Sequence, residues 1–120
     1  MVRVPGDEHL LELHDGRTVG YATWGDPEGT PVFIGHGTPG SCLERYAAID
    51  DPEWVHRRRV HFVGLDRPGY GYSDPWPEAS LLDCSGDFVR VADDLGLERF
   101  AALGASAGAP YVIALGASCA

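Results

Sequence analysis

Apolar and polar residues alternate in two segments near the start of the chain, at residues 9–13 and 18–24. Alternation with a period of two is typical of strands that bury one face. The dipeptide Asp15-Gly16 between them is a common hairpin turn, because both residue types tolerate the left-handed backbone that such a turn requires. We therefore predict an antiparallel hairpin formed by strands His9–Leu13 and Thr18–Trp24.

Three later segments are short apolar runs, which indicate buried strands. These runs are Pro31–Gly35, Val60–Val63 and Phe100–Leu103. Together with the hairpin they give about five strands.

Helical spacing is clearest after Ser80, which forms a capping-box pattern with Asp83. The apolar positions at this spacing are Leu81, Cys84, Phe88, Val91, Ala92 and Leu95. Gly96 is a natural helix end. The sequence therefore predicts one long helix between the fourth and fifth strands.

Two more helices are expected. The sequence Ser41-Cys42-Leu43-Glu44 is also a capping-box pattern, so a short helix is predicted from Cys42, with the Asp-Asp-Pro sequence at 50–52 ending it. A third helix begins at or just after Ser106, with Pro110 in its first turn, where a missing N–H is tolerated. Strands alternating with helices after a hairpin indicate an α/β layer fold with a mostly parallel sheet.

Charge and length narrow the function classes. The formal net charge is −9, which argues against nucleic acid and against an anionic membrane surface as partners. The basic run Arg57–Arg59 is interpreted as a solvated turn before a strand. A length of 120 residues suits a single domain.

Cysteine usage and the N-terminal sequence point to a cytoplasmic protein. Cys42, Cys84 and Cys119 are far apart and form no C-x-x-C pair, so we expect thiols in a reducing compartment and no metal site. No apolar run has the length of a signal peptide or a membrane span. We expect no cofactor.

The sequence Gly104-Ala105-Ser106-Ala107-Gly108 directly follows a predicted strand and carries the most specific chemical signal. A serine presented on a sharp strand-to-helix turn needs very small residues two positions before and after it, and Gly104 and Gly108 meet that need. Ser106 is therefore the candidate nucleophile. Such a motif also arises by chance in a chain with sixteen glycines.

A second candidate element is the turn at 36–40 (HGTPG), which follows the strand Pro31–Gly35. Acyl transfer needs backbone N–H donors aimed at the developing oxyanion. Pro39 has no N–H, so Thr38 is the expected donor in this turn. Ala107, directly after the serine, is the expected second donor.

A third segment, residues 65–74 (LDRPGYGYSD), follows the strand at 60–63. Asp66, Arg67 and Asp74 invite an acid–base or substrate-binding assignment. Because the segment is rich in turn formers, we interpret them as a turn held by side-chain hydrogen bonds.

These three motifs, in this order, resemble the N-terminal half of the α/β-hydrolase family, and the resemblance runs from about Arg17 to Ala120. It implies an α/β-hydrolase-like sheet truncated after about five strands, with residues 1–120 forming a single partial domain. It also implies a hydrolase that acts on an ester, amide or related carbonyl of a small-molecule substrate through an acyl-enzyme. Under this resemblance His36 and Gly37 shape the loop, and His36 is not the general base.

The resemblance also shows what the chain lacks. In this family the triad follows the order Ser, Asp or Glu, then His. No acid or histidine follows Ser106, since all five histidines precede it. We therefore expect the front portion of a hydrolase, inactive in isolation, without the acid, the histidine or the cap region that shapes substrate choice. The strand 100–103 would then be an apolar sheet edge prone to self-association.

Two alternatives remain at this stage. A non-catalytic relative would keep the scaffold, although losing function would remove the reason to keep the strained elbow. The pattern Gly35-x-Gly37-x-x-Gly40 also matches a dinucleotide-binding fingerprint, but that fingerprint normally follows the first strand, and here a hairpin precedes it.

Overall fold

The computed structural model describes residues 8–43 and 51–118. Within them, the five strands are β1 (Glu8–Glu12), β2 (Thr18–Gly25), β3 (Thr30–Gly35), β4 (Val60–Leu65) and β5 (Ala101–Gly104). The helices are α1 (Pro52–Arg57), α2 (Leu81–Asp94) and α3 (Ala109–Ser118), and a short 3₁₀ turn (Ser106–Gly108) precedes α3. Every predicted strand is present, with bounds shifted by one or two residues.

The strands form one sheet in the order β1-β2-β4-β3-β5. β1 pairs with β2 and β2 with β4 in antiparallel fashion, whereas β3 lies parallel to both β4 and β5. The predicted α/β fold class with an initial antiparallel hairpin is confirmed. The described sheet is mixed rather than mostly parallel, because two of its four strand pairs are parallel and two are antiparallel. At the last residues of the parallel strands, Gly35 is in register with both Leu65 and Gly104.

The hairpin turn forms as its sequence predicts. Gly16 adopts a φ of 87°, and the Leu13 N–H donates to the Arg17 carbonyl at 2.8 Å. Arg17 also reaches α2, where its guanidinium pairs with both carboxylate oxygens of Asp87 at 2.9 and 3.1 Å. The hairpin is thereby joined to the helix layer by a bidentate ion pair.

Helix α2 begins with the predicted capping box. The Asp83 N–H donates to the Ser80 hydroxyl, and the Asp83 carboxylate accepts from the Ser80 N–H. Its apolar face packs on the sheet through Phe88, whose ring meets Phe33 edge-on at 5.9 Å between centroids. The opposite face of the sheet has its own core around Trp24, Ile34 and Phe62. Apolar clusters thus cover both faces of the central part of the sheet.

The structure has a helix, α1, that the sequence analysis did not predict. The Asp-Asp-Pro sequence begins a helix: the Asp51 carboxylate accepts from the Glu53 N–H, and Pro52 occupies the first turn of α1. Proline at this position loses no hydrogen bond, because the first N–H groups of a helix have no partner within it. Of the helix predicted from Cys42, residues 42 and 43 form a turn, and 44–50 lie outside the described residues.

Candidate active site

The carboxyl ends of β3, β4 and β5 meet at one edge of the sheet, because Gly35, Leu65 and Gly104 share one register level. The turn at 36–40 begins directly after β3, and the segment at 65–74 and the elbow begin at the last residues of β4 and β5. The turn at 36–40 and the elbow at 104–108 therefore lie side by side, although they are far apart in sequence. In an open α/β sheet, this is the edge where ligands bind.

Ser106 is the first residue of the 3₁₀ turn after β5, and its φ is 52°. This is the left-handed region, which costs a residue with a Cβ roughly 1–2 kcal/mol. The side chain is exposed, and its hydroxyl has no hydrogen-bond partner among the described residues. The elbow thus has a strained backbone, and it presents a serine hydroxyl without a described hydrogen-bond partner at the carboxyl ends of the parallel strands.

Gly104 and Gly108 allow the elbow to pack closely against the following helix and the 36–40 turn. A Cβ on Gly104 would lie 2.9 Å from the Gly108 carbonyl oxygen and 2.9 Å from a methyl group of Val112. A Cβ on Gly108 would overlap the carbonyl oxygens of Gly35 and His36. Gly108, two residues after the serine, therefore packs directly on the start of the 36–40 turn.

His36 is fully buried below this turn. Its Nε2 accepts the backbone N–H of Arg67 at 3.1 Å, so this nitrogen carries no proton. Its Nδ1 then donates to the Gly37 carbonyl at 2.7 Å. Both ring nitrogens are used by backbone groups, and the neutral ring anchors the turn.

The two expected oxyanion donors are backbone N–H groups. Neither the N–H of Thr38 nor that of Ala107 has an acceptor among the described residues. For Ala107 the reason is its place in the first turn that leads into α3, where N–H groups have no partner within the helix. The Thr38 side chain is fixed by Arg67, because its hydroxyl accepts a hydrogen bond from Arg67 Nη2 at 2.9 Å.

The loop after β4 is held by its carboxylates, as interpreted from the sequence. Asp66 is fully buried and accepts the N–H groups of Tyr72 and Cys42, and its burial raises the pKa of the carboxyl group. Asp74 accepts the Thr18 N–H at 2.7 Å, which joins the loop to β2. Both carboxylates are thus bound by backbone N–H groups, which is the turn-holding role interpreted from the sequence.

Sequence reasoning missed what the side chain of Arg67 does. It leaves its own loop and reaches the neighbouring turn, where Nη2 lies within 3.5 Å of His36 O, Gly37 O and Thr38 Oγ1. The rings of Tyr70 and Tyr111 flank the guanidinium at 4.8 and 4.4 Å. The available signal was an arginine two residues after the end of β4, a buried strand that ends at the site.

The other described histidines lie elsewhere. His61 is at the start of β4, the end remote from Leu65, and His56 is in α1, which leads into that end. His9 stacks on Tyr21 in the hairpin, and His14 is in the hairpin turn. Among the described residues, no cluster of three metal-ligating side chains occurs, and no helix is long and apolar enough to cross a membrane.

No protein-family model matches the sequence. Curated relatives include a proline iminopeptidase of Xanthomonas citri, 28% identical over 117 residues, which cover 94% of this chain and 36% of that protein. A probable proline iminopeptidase of Streptomyces coelicolor is 34% identical over 116 residues, covering 87% of this chain and 33% of that protein. The chain thus spans about a third of the length of these relatives.

Solved structures show the same architecture. The Aspergillus niger epoxide hydrolase superimposes with a TM-score of 0.73 at 25% identity, over 91% of this chain and 30% of that one. The thioesterase domain from the curacin biosynthetic pathway gives a TM-score of 0.75 at 24% identity, over 93% and 41% of the two chains, and shows the fold alone. Both neighbours have the α/β-hydrolase fold. A dinucleotide-binding fold is not supported, because its glycine fingerprint follows the first strand, whereas β3 follows the β1–β2 hairpin.

Proposed function

Because the chain belongs to the α/β-hydrolase fold family, we propose that it carries the nucleophile and the oxyanion-binding groups of a serine hydrolase. The observation that carries the proposal is the left-handed backbone of Ser106, at the same sheet edge as the turn at 36–40. Backbone strain of this kind persists at functional sites, where it presents a reactive side chain.

In the proposed reaction, the Ser106 Oγ attacks the carbonyl carbon of an ester, amide or related substrate. The carbonyl oxygen becomes an oxyanion that accepts the N–H groups of Thr38 and Ala107. Collapse of the tetrahedral intermediate expels the alcohol or amine and leaves an acyl group on Oγ, which water then removes.

A general base must take the proton from the Ser106 hydroxyl. His36 is committed to backbone groups, so it does not serve. In our proposal, the full-length protein is as long as the relatives. The base and its orienting acid lie in the two thirds that this chain does not cover. The isolated 120-residue chain is then inactive.

The substrate is a small molecule with an acyl group. The names of the sequence relatives, proline iminopeptidases, favour an amide substrate over an ester. The non-catalytic alternative predicts no reactivity at Ser106, so it can be tested directly.

The test supplies the missing base from solution. The purified chain is incubated with a nitrophenyl acetate and imidazole, and acetylated residues are identified by mass spectrometry of peptides. We expect acetylation of Ser106 at least about tenfold above that of Ser80, because only Ser106 has oxyanion donors beside it. Ser80 is an exposed serine of the same chain whose hydroxyl caps a helix. Equal acetylation of the two serines would support the non-catalytic alternative.

We also propose that the isolated chain self-associates through β5. This strand is an edge of the described sheet, and Leu103 on it is 41% exposed. A groove lined by Phe100, Val112 and Leu115 runs beside it. An apolar strand edge with unpaired backbone groups favours pairing with a second copy.

The cytoplasm is the compartment we propose. Cys42 and Cys84 are buried free thiols, a state that a reducing compartment preserves. Cell fractionation with an antibody against the chain tests this location.

A further inference from the structure

The Gly37–Thr38 peptide has a fixed orientation in this structure. Its carbonyl oxygen accepts from His36 Nδ1 at 2.7 Å and lies 3.5 Å from Arg67 Nη2. In a trans peptide the N–H points opposite to the C=O. The Thr38 N–H is therefore directed away from His36 and Arg67, and it has no acceptor among the described residues.

Arg67 is an unusual residue to find at this position. Its side chain is only 5% exposed, yet no described carboxylate lies within ion-pair distance of the guanidinium. Nε has no hydrogen-bond partner, and the donors used are those of Nη2. A buried cation without an anion is costly unless polar groups converge on it. Here carbonyl oxygens and two aromatic faces take that place.

The contacts of Arg67 come from three separate elements. Its own loop contributes Tyr70, the turn at 36–40 contributes the acceptors, and α3 contributes Tyr111. The guanidinium therefore contacts both the turn that carries Thr38 and the helix that begins directly after the elbow.

We propose that Arg67 is a positioning residue, which fixes the Gly37–Thr38 peptide for oxyanion binding and couples it to α3 through Tyr111. This inference rests on the proposed function for its catalytic meaning. The structural claim, which does not depend on catalysis, is that the Arg67 side chain determines the orientation of the Thr38 N–H.

The first test is ¹⁵N NMR of the 120-residue chain and of Arg67→Met. Without the guanidinium, the Gly37–Thr38 peptide samples a second orientation, so the Thr38 amide signal is expected to broaden by exchange on the microsecond-to-millisecond timescale. The amides of Gly16 and Gly96, in turns away from the site, are expected to stay narrow. Arg17→Met is the matched control: Arg17 also stacks on an aromatic ring, that of Trp76, but it pairs with Asp87 and does not touch the turn.

A narrow, unshifted Thr38 amide in folded Arg67→Met would overturn the proposal. If Arg67→Met does not fold, Tyr111→Leu decides, because it removes only one aromatic face. We expect Tyr111→Leu to broaden the Thr38 amide and the exposed neighbour change Ile113→Ala to leave it narrow. Equal Thr38 signals in these two variants would also overturn the proposal.

The second test uses the imidazole-assisted acetylation of Ser106. We expect Arg67→Met to slow it by about tenfold relative to Arg17→Met, less than the 10²–10³-fold that follows complete loss of one oxyanion donor. Equal rates in the two variants would refute the role of Arg67 in positioning. If the unchanged chain gives no Ser106 adduct, the proposed function fails, and the NMR comparison still decides whether Arg67 orients the Thr38 peptide.

Discussion

Gly35 and Gly104 lie directly opposite each other at the ends of the parallel strands β3 and β5. Neither has a side chain, so α3 packs closely over both: a Cβ on either residue would lie 2.9 Å from Val112 Cγ2. This pairing places the turn at 36–40 beside the serine elbow, and the proposed site depends on it.

Without added imidazole, the isolated chain is expected to show no Ser106-dependent turnover of a short-chain nitrophenyl ester. The serine hydroxyl has no described base within its reach to take its proton. The measurement compares nitrophenol release by the chain and by Ser106→Ala. A rate that disappears in the variant would contradict this prediction and would point to one of the upstream histidines as a base.

Gly108→Ala is expected to lower the free energy of unfolding by about 1–3 kcal/mol, the usual range for overpacking. The added Cβ overlaps the carbonyl oxygens of Gly35 and His36, which belong to backbone and cannot turn aside as a side chain does. Urea unfolding measures the change.

Gly86→Ala is the control for that substitution. Gly86 lies inside α2, and apart from the helix's own backbone no atom lies within 4 Å of an added Cβ, so alanine is expected to raise the free energy of unfolding by about 0.5–1 kcal/mol. Similar stability of the Gly108 and Gly86 variants would mean that the elbow and the turn are not packed as described.

Leu103→Lys is expected to shift the isolated chain from dimers or larger species towards monomer, because a charge on the β5 edge opposes pairing with a second strand. Size-exclusion chromatography with light scattering gives the mass. Leu82→Lys is the control, since Leu82 is also exposed, at 59%, but lies on α2. A monomeric unchanged chain would show that the β5 edge does not associate.

The stability of the chain is expected to fall as the pH drops below about 6.5, in part because of His61. Burial lowers the pKa of this imidazole, and its Nδ1 has no hydrogen-bond partner among the described residues. The unfolded chain therefore binds the proton at a higher pH than the folded chain, so the contribution is present above the unfolded pKa and is lost on acidification.

The check for His61 is urea unfolding at about pH 7.5 and 5.5. His61→Gln should lose less stability between these values than the unchanged chain. His14→Gln, at an exposed hairpin position, should behave like the unchanged chain. Parallel losses in all three proteins would exclude His61 as a source of the pH dependence.

Local patterns in the sequence were enough to predict the strands, the capping box of α2 and the turn-forming role of Asp66. Each depends on residues close together along the chain, such as Ser80 and Asp83. The same local reasoning missed α1, because it took Pro52 only as the end of a helix. Proline is also common in the first turn of a helix, and the capping geometry of Asp51 shows that Pro52 occupies that place here.

The sequence by itself determined that Ser106 stands between two glycines after a strand, since the small residues needed for an elbow are neighbours of the serine. Only the tertiary structure decided that β3 lies between β4 and β5, which brings the turn at 36–40 to the elbow. It also decided that Arg67 reaches that turn. Strand order and side-chain contacts between loops depend on how distant segments assemble, and no local pattern of polar and apolar residues specifies them.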